Sequence, residues 1–485
     1  MTATTNSTTC IRRAEWAIVW DPARGGHAYR RGADVAFAGG RIVHVGERYD
    51  GPVAREVDGT GLLVMPGLIN VHCHPSGAPI FRGLTEEFGN PRLFYSSRHH
   101  FRQSFVTDVD AQQASARFAL AELLAGGVTS IVDLSHAYPG WLDLLAASGI
   151  RACVAPMYRS AEWYTDTGQE TQYRWSPDDG RAAFAEAIET MDAADRHSCG
   201  RLTSMVAPAQ VDTCSESLLR DSIALAESTD RPLHIHAAQS YAEFQGMTRR
   251  HPGITPIEFL DRVGVLTPRT MLGHAVFTDA HPWLHWPTRR DVDLMAARGV
   301  SVAHCPTVFA RDGSLLHDLG TYLRRGITVG IGTDTHPHNL LEEMRTAELL
   351  ARVAAGPTHS MSIADVFACA TTGGANILRR SDLGRLSAGA RADIVLVALD
   401  HPAMQPVYDP MRSLVVAAAD RAVRDVFVDG RQIVEDGTVL TVDRAAAGRC
   451  LAAAQQRIAG TVAVHDPQAR RIEALVPRAL PLAEG

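Results

Sequence analysis

The sequence predicts an α/β protein: a (β/α)8 TIM-like barrel carrying a small β-sandwich assembled from both ends of the chain. Three observations lead there. Short apolar runs alternate with helical stretches through the middle of the chain, the pattern of repeated β-α units on a parallel sheet. These runs number eight, at 67–71, 129–134, 151–158, 204–210, 232–238, 270–277, 301–306 and 328–333. Two β-rich blocks lie outside them, one near each end, and each holds too few strands to close a core by itself.

The first block has strand-like alternation at 14–19, 34–38 and 41–45, with Gly39-Gly40 as a two-residue hairpin turn between the last two. Amphipathic stretches at 111–125, 218–228 and 291–298 supply helices between barrel strands. Strand-like segments return at 393–397, 425–428 and 432–434, the last pair joined by Asp429-Gly430. From Asp443 an Ala- and Arg-rich segment reads as a helix followed by a tail. The expected division is therefore 1–66 and 386–440 as the two halves of the sandwich, 67–385 as the barrel and 441–485 as a helical tail. Residues 1–9 are polar and are expected to fray, with no apolar signal-peptide core.

Composition narrows the function classes. Among 485 residues, 46% are hydrophobic and 21% charged, as in an ordinary globular enzyme, and the net charge of −7 offers no basic face for nucleic acid. No apolar run reaches the ~18 residues a membrane span needs. All 47 basic residues are arginine, so Schiff-base, pyridoxal-phosphate and P-loop lysine chemistry are excluded. The eight cysteines are scattered without a Cys-X-X-Cys pair, which fits reduced thiols. The expected setting is the cytoplasm, with a small-molecule substrate and a homo-oligomer, dimer or tetramer, as the assembly.

The most informative stretch is Val64-Met65-Pro66-Gly67-Leu68-Ile69-Asn70-Val71-His72-Cys73-His74. On a strand His72 and His74 share one face while Cys73 turns away, which makes a chelating pair. The stretch resembles the first barrel strand of the amidohydrolase superfamily. The segment 384–393 is similar to that family's return from barrel to sandwich, and the branch it most resembles holds the cytosine deaminases and triazine hydrolases. His236 ends the fifth run, His274 lies in the sixth and Asp334 closes the eighth, an order that matches the superfamily. Chemistry in such barrels belongs at the carboxyl ends of the strands.

That resemblance implies His72, His74, His236 and Asp334 as ligands of one divalent metal ion, with His274 at or beside it. Members with two metals usually bridge them with a carbamylated lysine, which this chain lacks. Zinc is the expected ion, and ferrous iron suits the same donors. An ion held by three imidazoles and one carboxylate keeps an open position for water and brings its pKa toward ~7. Asp334 can accept a proton from that water, and His274 can hold the developing oxyanion.

One position departs from the pattern. The family's deaminases and chlorohydrolases carry a proton-shuttling glutamate three residues after the strand-five histidine, and here Gln239 stands there. An amide hydrogen-bonds but does not titrate. Gln239 is expected to orient substrate in the catalytic group with Asp334 and His274. The expected substrate contacts are His304, Arg82, Trp163 and His336, with Phe94, Tyr95 and the loop 75–87 as further lining. His338 either lines the mouth or is exposed, and His234 reads as a satisfied core histidine or a partner behind the ligands in preference to a direct ligand. The function read from this is hydrolysis of a small nitrogen-rich compound, most simply a deamination. Displacement of halide, thiolate or a urea or thiocarbamate amine is the alternative, followed by a catalytically inactive scaffold.

Overall fold

Alternating apolar residues make seven strands before the Pro66-Gly67 turn: β1 (Thr9–Ala14), β2 (Trp16–Asp21), β3 (Gly26–Arg30), β4 (Ala33–Ala38), β5 (Arg41–Gly46), β6 (Arg55–Asp58) and β7 (Leu62–Pro66). A computed structural model describes residues 7–86, 101–167, 170–316, 319–356 and 361–483. Thr9, included in the expected fraying, starts a strand with buried Cys10 and Ile11, and residues 1–6 lie outside the described residues. The Gly39-Gly40 hairpin has φ of 56° and 75°, the positive pair that a type I′ turn between right-twisted strands requires.

The next strands alternate with helices. They are β8 (Leu68–Cys73), β9 (Val128–Ser135), β10 (Arg151–Tyr158), the hairpin β11 (Ala161–Tyr164) and β12 (Gln172–Trp175), β13 (Leu202–Ser204), β14 (Ala207–Pro208), β15 (Leu233–Ala237), β16 (Thr270–His274), β17 (Ser301–His304) and β18 (Thr328–Ile331). β8, β9 and β10 pair in parallel, with β13 and β14 both on β10; β15 to β18 form a second parallel run. Parallel bridges Val206↔Leu233, Gln210↔His236 and Cys73↔Asp334 join the runs into one ring. All eight expected runs coincide with its strands. The stretches expected at 111–125, 218–228 and 291–298 fall in the helices Val109–Ala125, Glu216–Ser228 and Asp291–Arg298.

The chain then returns to the first block with β19 (Ile394–Ala398), β20 (Val423–Val428), β21 (Arg431–Glu435) and β22 (Thr438–Val439). β19 pairs antiparallel with β7, so seven strands from both chain ends share the order β22-β21-β20-β19-β7-β2-β3. A four-stranded sheet, β5-β4-β1-β6, faces it. Ile11, Val35, Phe37 and Ile42 of one sheet meet Val64, Leu396 and Phe427 of the other in one buried cluster. Arg151, at the start of β10, ties this block to the barrel through Asp393 at 3.0 Å and Asp429 at 3.2 Å.

The helix Arg444–His465 begins at Asp443, whose side chain accepts the Ala446 N–H at 2.9 Å. It packs Leu451, Ala454 and Ile458 against Phe81, Phe101 and Phe105 beside the barrel mouth. Among the described residues, no helix is long and apolar enough to cross a membrane.

Candidate metal centre

Period-two strands deliver the cluster to one end of the ring. His72 lies in β8 and His74 just beyond it, His236 is in β15 beside Gly273, and His274 ends β16. Asp334 follows β18 at a φ of 54°, where its N–H donates to the His72 carbonyl at 2.8 Å and its own carbonyl accepts from His74 at 2.9 Å. Asn70 braces the same seam. Its Nδ2 donates to Thr333 Oγ1 at 2.9 Å, and its Oδ1 accepts the N–H groups of His72 and Thr333 at 3.1 and 3.2 Å.

The side chains converge. Asp334 Oδ1 is 3.3 Å from His74 Nε2 and 3.9 Å from His72 Nε2, and its Oδ2 is 3.6 Å from His274 Nε2. Two overlapping groups, His72 with His74 and His236, and His72 with His274 and Asp334, each keep their donor atoms within 4.8 Å. His74 and His236 each aim Nδ1 at a main-chain carbonyl, of Leu134 and Ala209, both at 2.7 Å. Each Nδ1 therefore carries the proton and leaves Nε2 as a lone pair. His72 Nε2 is buried without a hydrogen-bond partner. Burial and then the neighbouring imidazoles push His72 and His274 well below the usual range and His236 to about 3, so all three are neutral at pH 7. Neutral imidazoles beside a carboxylate are the donor set of a divalent cation, and the residues fit one.

A cavity of about 570 Å3 opens onto the cluster, its wall including His74, His236, His274, Asp334, Gln239 and Trp163. Trp163 Nε1 donates to Asp212 Oδ2 at 2.9 Å, and Tyr173 of the same hairpin donates to that oxygen at 2.7 Å. Gln239 is buried in the cavity wall. Behind it Glu243 accepts the N–H groups of Ala238 at 2.6 Å and Gln239 at 3.3 Å. Burial and then Asp212 push the Glu243 carboxyl well above the ordinary range. Spacing alone does not mark Glu243 or Asn70 as part of the site. Asn70 stood inside the diagnostic stretch, and Glu243 stands three residues after Ser240, the helix-capping residue.

Three expected substrate contacts take other places. Arg82 pairs with Glu122 at 2.8 Å and lies over the Phe118 ring, because a long cation beside a helix finds the nearer carboxylate. His336 is buried with both ring nitrogens engaged, by the Ala78 carbonyl at 3.0 Å and Glu86 at 2.8 Å. His304 is buried at the end of β17, outside the cavity wall, and burial lowers it to about 4. His338 is neither mouth nor surface: it is fully buried, 2.9 Å from Thr333 Oγ1. His234 is fully buried below His236 and outside both donor groups. Glu87, Phe94 and Tyr95 lie outside the described residues.

Known proteins are similar to this chain in sequence and fold. The sequence matches the amidohydrolase family over residues 63–433, more than half of the chain. The chain belongs to the amidohydrolase family. This amidohydrolase is 31% identical over 420 residues to a 5-methylthioadenosine/S-adenosylhomocysteine deaminase of Natronomonas pharaonis, covering 84% of this chain and 90% of the relative. Its structure superposes on an adenosine deaminase of Xanthomonas campestris with bound zinc at a TM-score of 0.78 and 25% identity, over 93% of this chain and 98% of the other. A triazine hydrolase of Arthobacter aurescens gives a TM-score of 0.77 at 26% identity, over 93% and 99%. The fold is that of a TIM-barrel-like amidohydrolase, and the enzyme is a metal-dependent hydrolase of carbon–nitrogen bonds.

Proposed function

We propose that this amidohydrolase hydrolytically deaminates an amino-substituted, purine-like heterocycle, releasing ammonia. One observation carries the reading: three neutral imidazoles and Asp334 converge at a cavity of about 570 Å3 that Gln239 and Trp163 help to wall. Similarity to the Natronomonas deaminase and the Xanthomonas adenosine deaminase supports the substrate class.

In this reading His72, His74, His236 and Asp334 hold one divalent ion per chain, zinc by analogy with the zinc-bound neighbour, while ferrous iron suits the same donors. Bound there, the ion supplies a Lewis acid that polarises water and lowers its pKa. Asp334 accepts the attacking water's proton and passes it toward the departing amine. The neutral His274 ring, its Nε2 3.6 Å from Asp334 Oδ2, hydrogen-bonds the oxygen that adds to the attacked carbon, while the electron pair of the C=N bond moves onto the ring nitrogen. Gln239 offers its amide to a ring nitrogen, and Trp163 offers an aromatic face. We read 1–66 with 386–440 as one β-sandwich, 67–385 as the (β/α)8 barrel and 441–485 as a helical tail; the shared β7–β19 ladder supports that division.

Gln239 also favours a second reading. Because it cannot protonate a ring nitrogen, a leaving group that departs without that help, such as halide, suits this wall. Assaying ammonia and chloride release across adenosine, 5-methylthioadenosine, aminotriazines and chlorotriazines separates the two. Ammonia from the nucleosides supports the first, chloride without ammonia the second, and neither product from any compound would sink both.

A further inference from the structure

Of the three histidines whose donor atoms form the first group, two are oriented by main-chain carbonyls and one is not. His74 and His236 each point Nδ1 at a carbonyl at 2.7 Å. His72 Nδ1 instead meets another imidazole, the Nε2 of His234, at 3.0 Å. Both rings are fully buried, and among the described residues no other hydrogen bond reaches the His72 ring. His234 and His236 are two apart on β15, so the strand that delivers a cluster histidine also delivers this partner to the same face.

The neighbouring strand is shaped around the pair. A Cβ on Gly273 of β16 would lie 2.7 Å from His234 Nε2, 2.8 Å from His72 Cε1 and 3.0 Å from His72 Nδ1. Only a residue without a side chain leaves room for the two rings. On the far side, a Cβ on Gly332 would lie 2.7 Å from His72 Cβ. Thus His72 stands in a slot between two glycines with one hydrogen-bond partner. If His72 offers its Nε2 lone pair to a cation, its proton sits on Nδ1, and His234 must accept it at Nε2. His234 then carries its own proton on Nδ1, an atom that is buried without a partner. A buried polar atom left unpaired is a cost, and such atoms are uncommon where nothing depends on them.

We propose that His234, seated against Gly273, is a positioning residue of this centre: by accepting the Nδ1–H of His72 it sets the tautomer and tilt of the one imidazole in that group that no carbonyl orients. The inference rests on His72 being a ligand, the reading made above. His234 itself touches neither ion nor substrate.

The test measures Zn2+ affinity of the purified protein by competition with a chromophoric chelator, and the visible absorption of the Co2+-substituted protein, for wild type, His234→Leu, His234→Gln, Gly273→Ala and His72→Ala. Loss of a partner that orients a ligand typically costs ten- to a hundredfold in metal affinity. His234→Leu should therefore bind Zn2+ about ten- to a hundredfold more weakly with an altered Co2+ spectrum. His234→Gln, whose amide oxygen can accept the same proton, should recover most of that loss. Gly273→Ala should weaken binding without altering any hydrogen-bonding group, and it stands in if His234→Leu does not fold. His72→Ala should bind most weakly of all. Wild-type affinity and spectrum in His234→Leu would overturn the proposal. So would a loss as deep as that of His72→Ala, which would make His234 a ligand. Unchanged binding in His72→Ala would instead overturn the ligand reading beneath it.

Discussion

Asp334 has one carboxylate oxygen beside His74 and the other beside His274, so in the proposed mechanism a single group faces both ion and proton traffic. An amide keeps that shape but accepts no proton. Asp334→Asn should lose roughly a thousandfold or more in kcat/KM even with metal retained, and His274→Ala should fall as far. Gln239→Ala should lose only about ten- to a hundredfold, the scale of one or two hydrogen bonds at ~1–1.5 kcal/mol each. Steady-state kinetics on metal-loaded variants check this ranking, and equal losses at Gln239 and Asp334 would contradict it. The cluster residues are legible in the sequence because metal chemistry restricts the residue types and strands restrict their positions. Arg82 and His336 are not. Their partners Glu122, Glu86 and the Ala78 carbonyl are brought in by tertiary packing, which no local spacing encodes.

Elements show the same boundary between local and distant information. Each barrel strand announces itself as an apolar run, and the hairpin turns at Gly39-Gly40 and Asp429-Gly430 follow from residues that tolerate positive φ. The helix Arg444–His465 is legible as a helix but not as a support for the site. Gln455 Nε2 donates to the carbonyls of Ile80 at 2.7 Å and Arg82 at 2.9 Å, steadying the segment whose Phe81 lines the cavity. Gln455→Ala should therefore raise KM about three- to tenfold with kcat and metal content nearly unchanged, consistent with one or two lost hydrogen bonds. A fall in kcat or metal content instead would show that the helix supports the cluster.

Across the whole molecule, the halves of the β block meet only after more than three hundred residues of intervening barrel, a pairing visible in the sequence only as two blocks too small to stand alone. Arg151 joins barrel to block, with 4% of its side chain exposed, and Arg151→Ala leaves Asp393 buried without its cation. That should cost about 3–5 kcal/mol in urea unfolding. Deleting the chain from Asp393 removes the partner of β7 and should give insoluble or unfolded protein; a soluble, cooperatively folding 1–392 fragment would contradict it.

Acid should weaken a second contact, between β3 and the segment around Thr371. His27, 3.0 Å from Thr371 Oγ1, is lowered by burial and then Arg385 to about 4, so the unfolded chain binds its proton more readily. Its stabilising contribution is complete above the ordinary histidine value and is lost as pH falls through that value toward 4. Urea midpoints measured between pH 7.5 and 4.5 should fall with acid, and His27→Gln should flatten part of that slope.

A one-metal hydrolytic deaminase leaves a defined signature when apoprotein is titrated with Zn2+ while ammonia release from a 5-methylthioadenosine-type nucleoside is followed. Activity should rise linearly and break at one ion per chain. A break at two ions per chain, or no ammonia at any loading, would contradict the account.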